Sequence, residues 1–99
     1  MYQVDICYYN EADGNREWGA FAPLVWNMSL EGAAEYARNY ADMTLNLTDS
    51  LRLTGYDGCS LDVRKMADPE PHAYLMSYDF APGRPVEVWA SDEVTSCHA

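Results

Sequence analysis

Residues 29–55 read SLEGAAEYARNYADMTLNLTDSLRLTG, and this stretch decides the fold. Its apolar and small residues recur every three or four positions, which is typical of one face of an amphipathic helix. Ser29 is a good N-cap, and Gly55 is a plausible stop. The pattern predicts one helix over Leu30–Leu51, whose last two turns contain poor helix formers. The residues on its inward face are Leu30, Ala33, Ala34, Ala37, Tyr40, Ala41, Thr44, Leu47, Thr48 and Leu51.

Alternating polar and apolar residues on either side of this helix predict strands. The predicted strands are Tyr2–Tyr9, Trp18–Val25, Cys59–Met66, Tyr74–Phe80 and Val86–Ala90. Turn residues separate the first pair at Asp13-Gly14-Asn15 and the last pair at Pro82-Gly83. The order β-β-α-β-β-β predicts an α+β fold, in which a mostly antiparallel sheet of about five strands carries one amphipathic helix on one face.

The second strand contains Pro23, which has no N–H group to donate to a neighbouring strand. We therefore expect this strand to lie at an edge of the sheet or to be bulged. The sheet face away from the helix is expected to carry some of the Tyr and Trp side chains. An uncovered aromatic face of this kind is a candidate contact surface or dimer interface.

The chain length of 99 residues predicts a single domain over residues 1–90, followed by a loose polar tail over residues 91–99. The three cysteines are widely spaced and suggest no disulfide framework. No apolar run is long enough to span a membrane, and a strand pattern follows Met1 at once. These features predict a cytoplasmic protein.

The chain is strongly acidic, with sixteen Asp and Glu residues against six Lys and Arg residues and a formal net charge of −10. Such a charge repels nucleic acids and anionic membrane surfaces, so it argues against direct contact with either. It favours a basic protein partner, because complementary charge speeds the encounter of two proteins.

Four acidic residues align on the predicted helix, within roughly 40° of each other and opposite its apolar face. They have two interpretations, a solvated outer surface or an anionic docking surface. Four charges over about 27 Å are too sparse to imitate duplex DNA, which carries one charge per about 1.7 Å of axis. Acids in loops are therefore expected to complete the surface. The predicted partner-binding residues are Glu31, Glu35, Asp42, Asp49, Asp57, Asp68 and Glu70.

The sequence contains no pattern that predicts a metal, a cofactor or a catalytic centre. His72 and His98 are isolated, and there is no Cys-x-x-Cys spacing. Cys59 and His72 flank one predicted strand, but a buried cysteine and a loop histidine explain them better than a catalytic pair. We therefore predict no metal, no cofactor and no enzymatic activity.

Two classes of function follow from these observations. The first is a small acidic inhibitor that blocks a basic partner, such as a nuclease or another protein that handles nucleic acids. Its acidic surface could do so by mimicking a nucleic acid. Phage anti-CRISPR and anti-restriction proteins and immunity proteins against nuclease toxins are inhibitors of this size and charge, and the chain is similar to them in those two properties only. The second is a small α+β ligand-binding or enzymatic domain with a pocket between helix and sheet, or a homodimer formed through the aromatic sheet face.

Overall fold

The computed structural model describes residues 1–66, 74–92 and 94, with the side chains of residues 44–46 outside that description. It contains β1 (Tyr2–Ala12), β2 (Asn15–Met28), α1 (Leu30–Asp42), α2 (Thr44–Thr54), β3 (Gly58–Lys65), β4 (Tyr74–Phe80) and β5 (Glu87–Ala90). The strands form one sheet in the order β2-β1-β3-β4-β5, and every neighbouring pair is antiparallel. The predicted α+β fold with a five-stranded antiparallel sheet is therefore confirmed.

The prediction of one continuous helix over Leu30–Leu51 is wrong, because the helix breaks at Met43. This residue has φ −88° and ψ 69°, and its N–H donates to the Tyr40 carbonyl at 3.2 Å, which closes α1 with a tight turn. The residues that follow form α2 at once, so low helix propensity does not account for the break, and no residue at this point of the sequence requires it. The predicted ends are confirmed: Ser29 Oγ accepts from the Gly32 N–H at 3.0 Å, and Gly55 adopts φ 76°.

The core lies between the helices and one face of the three central strands. The strands contribute alternate residues to it, because successive side chains of a strand point to opposite faces of the sheet. The alanine-rich face of α1 allows its backbone to approach the sheet closely, and α2 adds Leu47 and Leu51. The buried strand residues in this core are Val4, Ile6, Cys59, Leu61, Val63, Met76, Tyr78 and Phe80. Burying each large aliphatic side chain contributes about 1.5–3 kcal/mol.

Two tight turns and an edge proline fix the outer strands. Asp13 and Gly14 have φ 54° and φ 80°, the left-handed pair that a type I′ hairpin turn requires. Gly83 has φ 82° in the turn between β4 and β5, where the Arg84 N–H donates to the Ala81 carbonyl at 3.2 Å. Strand β2 is an edge strand, and Pro23 lies opposite Asp5 beside a register shift, as its missing N–H predicts.

Part of the predicted C-terminal tail packs against the domain. Of residues 91–99, the structure describes 91, 92 and 94. The Ser91 N–H donates to the Leu75 carbonyl at 2.8 Å, and the Val94 side chain lies in the core with 2% of its surface exposed. Moving the apolar Val94 side chain out of water is favourable. This part of the predicted tail is therefore packed against the domain and is not loose.

Gly58 gives a direct test of how tightly β3 packs against β1. A Cβ atom at this position would lie 2.4 Å from Cζ and Oη of Tyr9, whose ring is fully buried. The Tyr9 hydroxyl is also hydrogen-bonded to Asp79 and Arg84, so the ring cannot simply swing aside. We expect Gly58→Ala to lower the free energy of unfolding by about 1–3 kcal/mol in urea denaturation.

The matched control repeats this substitution in a Tyr9→Leu background. Since the aromatic ring is then absent, Gly58→Ala should cost clearly less there than in the wild-type chain. An equal cost in both backgrounds would mean that the Tyr9 ring is not the obstacle.

Candidate functional site

The sheet face away from the helices forms a concave groove with a volume of about 650 Å³. We call it the open-face groove. Its volume falls within the range of about 300–1,000 Å³ that is usual for small-ligand sites. It is lined by Asp5, Cys7, Tyr8, Arg16, Trp18, Gly19, Ala20, Phe21, Ser60, Asp62, Arg64, Tyr74, Ser77, Asp79, Glu87, Val88 and Trp89. All five strands contribute residues to this lining.

The floor of the groove consists of two rows of side chains that cross the sheet. The strand pairing places Phe21, Cys7, Ser60, Asp79 and Glu87 side by side in one row. It places Pro23, Asp5, Asp62, Ser77 and Trp89 in the next. The central positions of both rows are polar, although they lie on the three inner strands of the sheet. The alternation that builds the core therefore also builds a polar floor on the opposite face.

Exposed aromatic side chains form the two walls. Trp18 and Phe21 of β2 lie on one side, with Trp18 packed edge-on against Tyr9 at 5.2 Å between ring centroids. On the other side, Trp89 of β5 packs edge-on against Tyr74 at 5.5 Å. The two edge strands are four strand spacings apart, or about 19 Å. The groove can therefore hold a chain segment or a ligand of several groups.

Two of the carboxylates in the floor are already paired. Asp79 contacts Arg16 at 2.5 Å and accepts a hydrogen bond from the Tyr9 hydroxyl at 2.7 Å. Asp5 is buried and lies 3.6 Å from Arg64 Nε. The Asp79–Arg16 pair links β4 to β2 across the sheet, the Asp5–Arg64 pair links β1 to β3, and both neutralise charge within the floor.

Asp62, at the centre of the floor, has no cationic partner among the described residues. Its carboxylate accepts hydrogen bonds from Ser77 Oγ at 2.8 Å and from Cys7 Sγ at 3.6 Å. Burial raises the pKa of Asp62, and these hydrogen bonds offset only part of that rise. The surroundings of Asp62 therefore compensate its charged form only in part.

The groove as a whole is anionic and contains an unsatisfied polar group. Its lining has four carboxylates against two guanidinium groups, which leaves a formal charge of −2. Glu87 on β5 is exposed and forms no ion pair with the described residues. Ser60 is 3% exposed, and its hydroxyl lowers the pKa of Asp62 and of Cys7 as a hydrogen-bond donor does, although the geometry of both contacts falls outside the ordinary range for a hydrogen bond.

The two described cysteines are poorly suited to act as nucleophiles. Burial raises the pKa of the Cys7 thiol to about 12, and the negative charge of Asp62 adds to this shift. Burial likewise raises the pKa of Cys59 to about 12. Since the thiolate is the reactive form, both residues remain protonated and inert near neutral pH.

The predicted partner-binding acids do not all lie on one element. Glu31, Glu35 and Asp42 are exposed on α1, whereas Asp49 lies on α2 and contacts Arg52 at 3.5 Å. The carboxylate of Asp57 accepts from the Glu11 N–H at 2.8 Å and so helps to hold the first hairpin. The other two, Asp68 and Glu70, lie outside the described residues, as do His72 and His98. None of the five acids that the structure describes, Glu31, Glu35, Asp42, Asp49 and Asp57, lines the open-face groove.

The groove also differs in place from the pocket predicted between helix and sheet, since it lies on the opposite face. Within residues 1–66, 74–92 and 94, no group of three or more His, Cys, Asp or Glu side chains is arranged to hold a metal ion. None of the helices in this part of the chain is long and apolar enough to cross a membrane. Comparison with protein-family profiles, curated proteins and solved structures gives no match.

A signal for the groove is present in the sequence. The outward positions of three strands carry small or charged residues, with Asp5 and Cys7 on the first, Ser60 and Asp62 on the third, and Asp79 on the fourth. A solvated sheet face tolerates such residues, so the pattern alone does not distinguish a binding floor from an ordinary surface. The pairing register makes that distinction.

The raised pKa of Asp62 predicts a specific pH dependence of stability. An aspartate in the unfolded chain has a pKa of about 3.9, so the folded state holds the Asp62 proton more tightly. The contribution of Asp62 to the free energy of unfolding therefore falls as pH rises from about 4 through the folded-state pKa, and it stays low above it. Asp62→Asn removes this fall, so the variant should gain stability relative to wild type between pH 4 and pH 7.

The measurement is urea denaturation at several pH values, with Glu35→Gln on the exposed face of α1 as the control. The control should follow the wild-type curve within a constant offset. Curves for Asp62→Asn and wild type that run parallel over the whole range would contradict the assignment.

Proposed function

We propose that this protein captures a basic protein partner, of a kind that handles nucleic acids, and holds it in the open-face groove. The observation that carries the proposal is the groove itself, which combines an anionic polar floor with exposed aromatic walls on a chain of net charge −10. Capture of this kind needs no catalytic group and suits an inhibitor that denies its partner access to phosphates.

The charge of the whole chain supports a cationic partner. A field set up by sixteen acids against six bases raises the local concentration of positively charged ligands and their rate of association. The same field opposes the alternative of a homodimer through the open face, because each copy brings ten net negative charges. A cytoplasmic location belongs to this proposal, and the free thiols of Cys7 and Cys59 are compatible with it.

The groove is a better candidate for the contact surface than the outer face of α1. Glu31, Glu35 and Asp42 are exposed on a convex helix, where charges are fully solvated and individual ion pairs contribute about 0–1 kcal/mol. The groove is concave, and it is lined by partly buried polar groups and by exposed aromatic rings such as that of Trp89. Aromatic residues in pockets that exclude water commonly contribute most of the binding energy of an interface.

The test is a capture experiment with three immobilised baits from one preparation of host lysate, followed by mass spectrometry. The baits are wild type, a groove variant (Asp62→Asn with Glu87→Gln) and a helix variant (Glu31→Gln, Glu35→Gln and Asp42→Asn). We expect wild type to retain a basic protein that handles nucleic acids. The groove variant should lose it, whereas the helix variant should keep it.

This design distinguishes the effect of the binding site from the effect of net charge. The helix variant neutralises three carboxylates and the groove variant only two, so a loss of binding with the groove variant alone cannot be due to net charge. Raising the salt from about 0.1 M to about 1 M, which shortens the Debye length from about 10 Å to about 3 Å, should weaken capture by wild type. Loss of the partner with the helix variant alone would move the site to α1. Failure of wild type to retain any basic protein would refute the proposed function.

A further inference from the structure

One corner of the open-face groove combines side chains that suit a single cationic group. Trp89 stands beside Ser77 in its row, and Ser77 stands beside Asp62. Glu87 lies two residues before Trp89 on β5 and therefore points to the same face. The corner thus brings together an exposed indole and two carboxylates, Asp62 in the floor and Glu87 at the rim, neither of which forms an ion pair with a described residue.

The unsatisfied hydroxyl of Ser60 marks the inner end of this corner. It is buried and lines the groove two residues before Asp62 on β3. Its hydrogen is turned toward Asp62 and Cys7, since this hydroxyl lowers the pKa of both groups, but its oxygen accepts no hydrogen bond. A buried oxygen that accepts no hydrogen bond costs free energy, which a ligand that donates one would recover.

Resting on the proposed function, we propose that this corner receives an arginine side chain of the basic partner. The guanidinium group stacks on Trp89, donates to Asp62 and Ser60, and has Glu87 beside it at the rim. The neighbouring carboxylates Asp5 and Asp79 are already held by Arg64 and Arg16, so they do not compete for it.

Arginine fits this corner better than lysine for two reasons. Its planar guanidinium stacks on an aromatic face and presents five donors in a fixed fork, so one group can satisfy a carboxylate and a hydroxyl together. The ammonium of lysine is a compact and strongly hydrated point charge, which loses more on leaving water and makes no stacking contact.

The three tryptophans provide a built-in readout of the site. Trp89 and Trp18 line opposite walls of the groove, whereas Trp26 is exposed on β2 and does not line it. Each indole N–H gives its own signal in a nitrogen–proton correlation spectrum. The probe is a capped Gly-Arg-Gly tripeptide, and the comparison peptides carry lysine or the neutral analogue citrulline at the central position.

We expect the arginine peptide to shift the Trp89 indole signal saturably, with little effect on Trp26. The lysine peptide should bind roughly tenfold more weakly, and the citrulline peptide should produce no saturable shift. Asp62→Asn should weaken binding by roughly tenfold, whereas Trp26→Phe should leave it unchanged. Trp89→Phe should also weaken binding by roughly tenfold, and because it lacks the reporting indole its binding is followed by the backbone amide signals in the same spectrum. The spectra of the free variants report whether each remains folded.

Three outcomes would overturn this assignment: shifts confined to Trp18 or Trp26, equal binding of the arginine and citrulline peptides, or no saturable binding of the arginine peptide. Each of these leaves the proposed function standing if wild type still captures a basic protein in the lysate experiment. Failure of that capture refutes the proposed function by a separate measurement.

Discussion

The alternation of side chains along β1, β3 and β4 is the constraint on which the rest of this protein depends. Because successive residues of a strand face opposite sides, each of these strands contributes at the same time to an apolar layer and a polar layer. Val63 lies under the helices, while its neighbours Asp62 and Arg64 face the groove. A shift of one residue in the pairing of any central strand would exchange the two layers, so the core and the groove are specified together.

The two layers are stabilised in different ways. On the helix side, close contact between small alanines and the sheet excludes water, and burial of apolar surface is favourable. On the open side, buried or half-buried polar groups must find partners. Asp79 finds them in Arg16 and Tyr9, and Asp5 finds them in the Gln3 amide at 2.7 Å and in the charge of Arg64, whereas Asp62 relies on a hydroxyl and a thiol. The sheet holds all three carboxylates in the floor, and among the described residues Asp62 has no cationic partner.

Tyr9 and the side chains that contact it, which are Trp18, Arg16, Asp79 and Arg84, connect the two sides of the sheet beside this floor. Tyr9 is buried beneath Trp18, accepts a hydrogen bond from Arg84 at 3.0 Å and supports Arg16, whose guanidinium lies 4.1 Å from its ring centroid. Burial raises the pKa of the Tyr9 hydroxyl, and its hydrogen bond to Asp79 adds to the rise, so the hydroxyl stays protonated. One wall of the groove is consequently supported from below by side chains of β1, β2 and β4 that contact one another.

The sequence by itself determined the class of fold, most element boundaries, the edge position of β2 and the turn at Asp13-Gly14, because these follow from local periodicity and backbone preference. It also indicated the acidic character that favours a basic partner. It did not determine the break at Met43, because the residues on both sides of the break are helical and the apolar spacing continues across it, or the burial of Val94. Only the tertiary structure decided that Asp62, Ser60 and Trp89 share one groove. They lie far apart in the chain, and strand register brings them together.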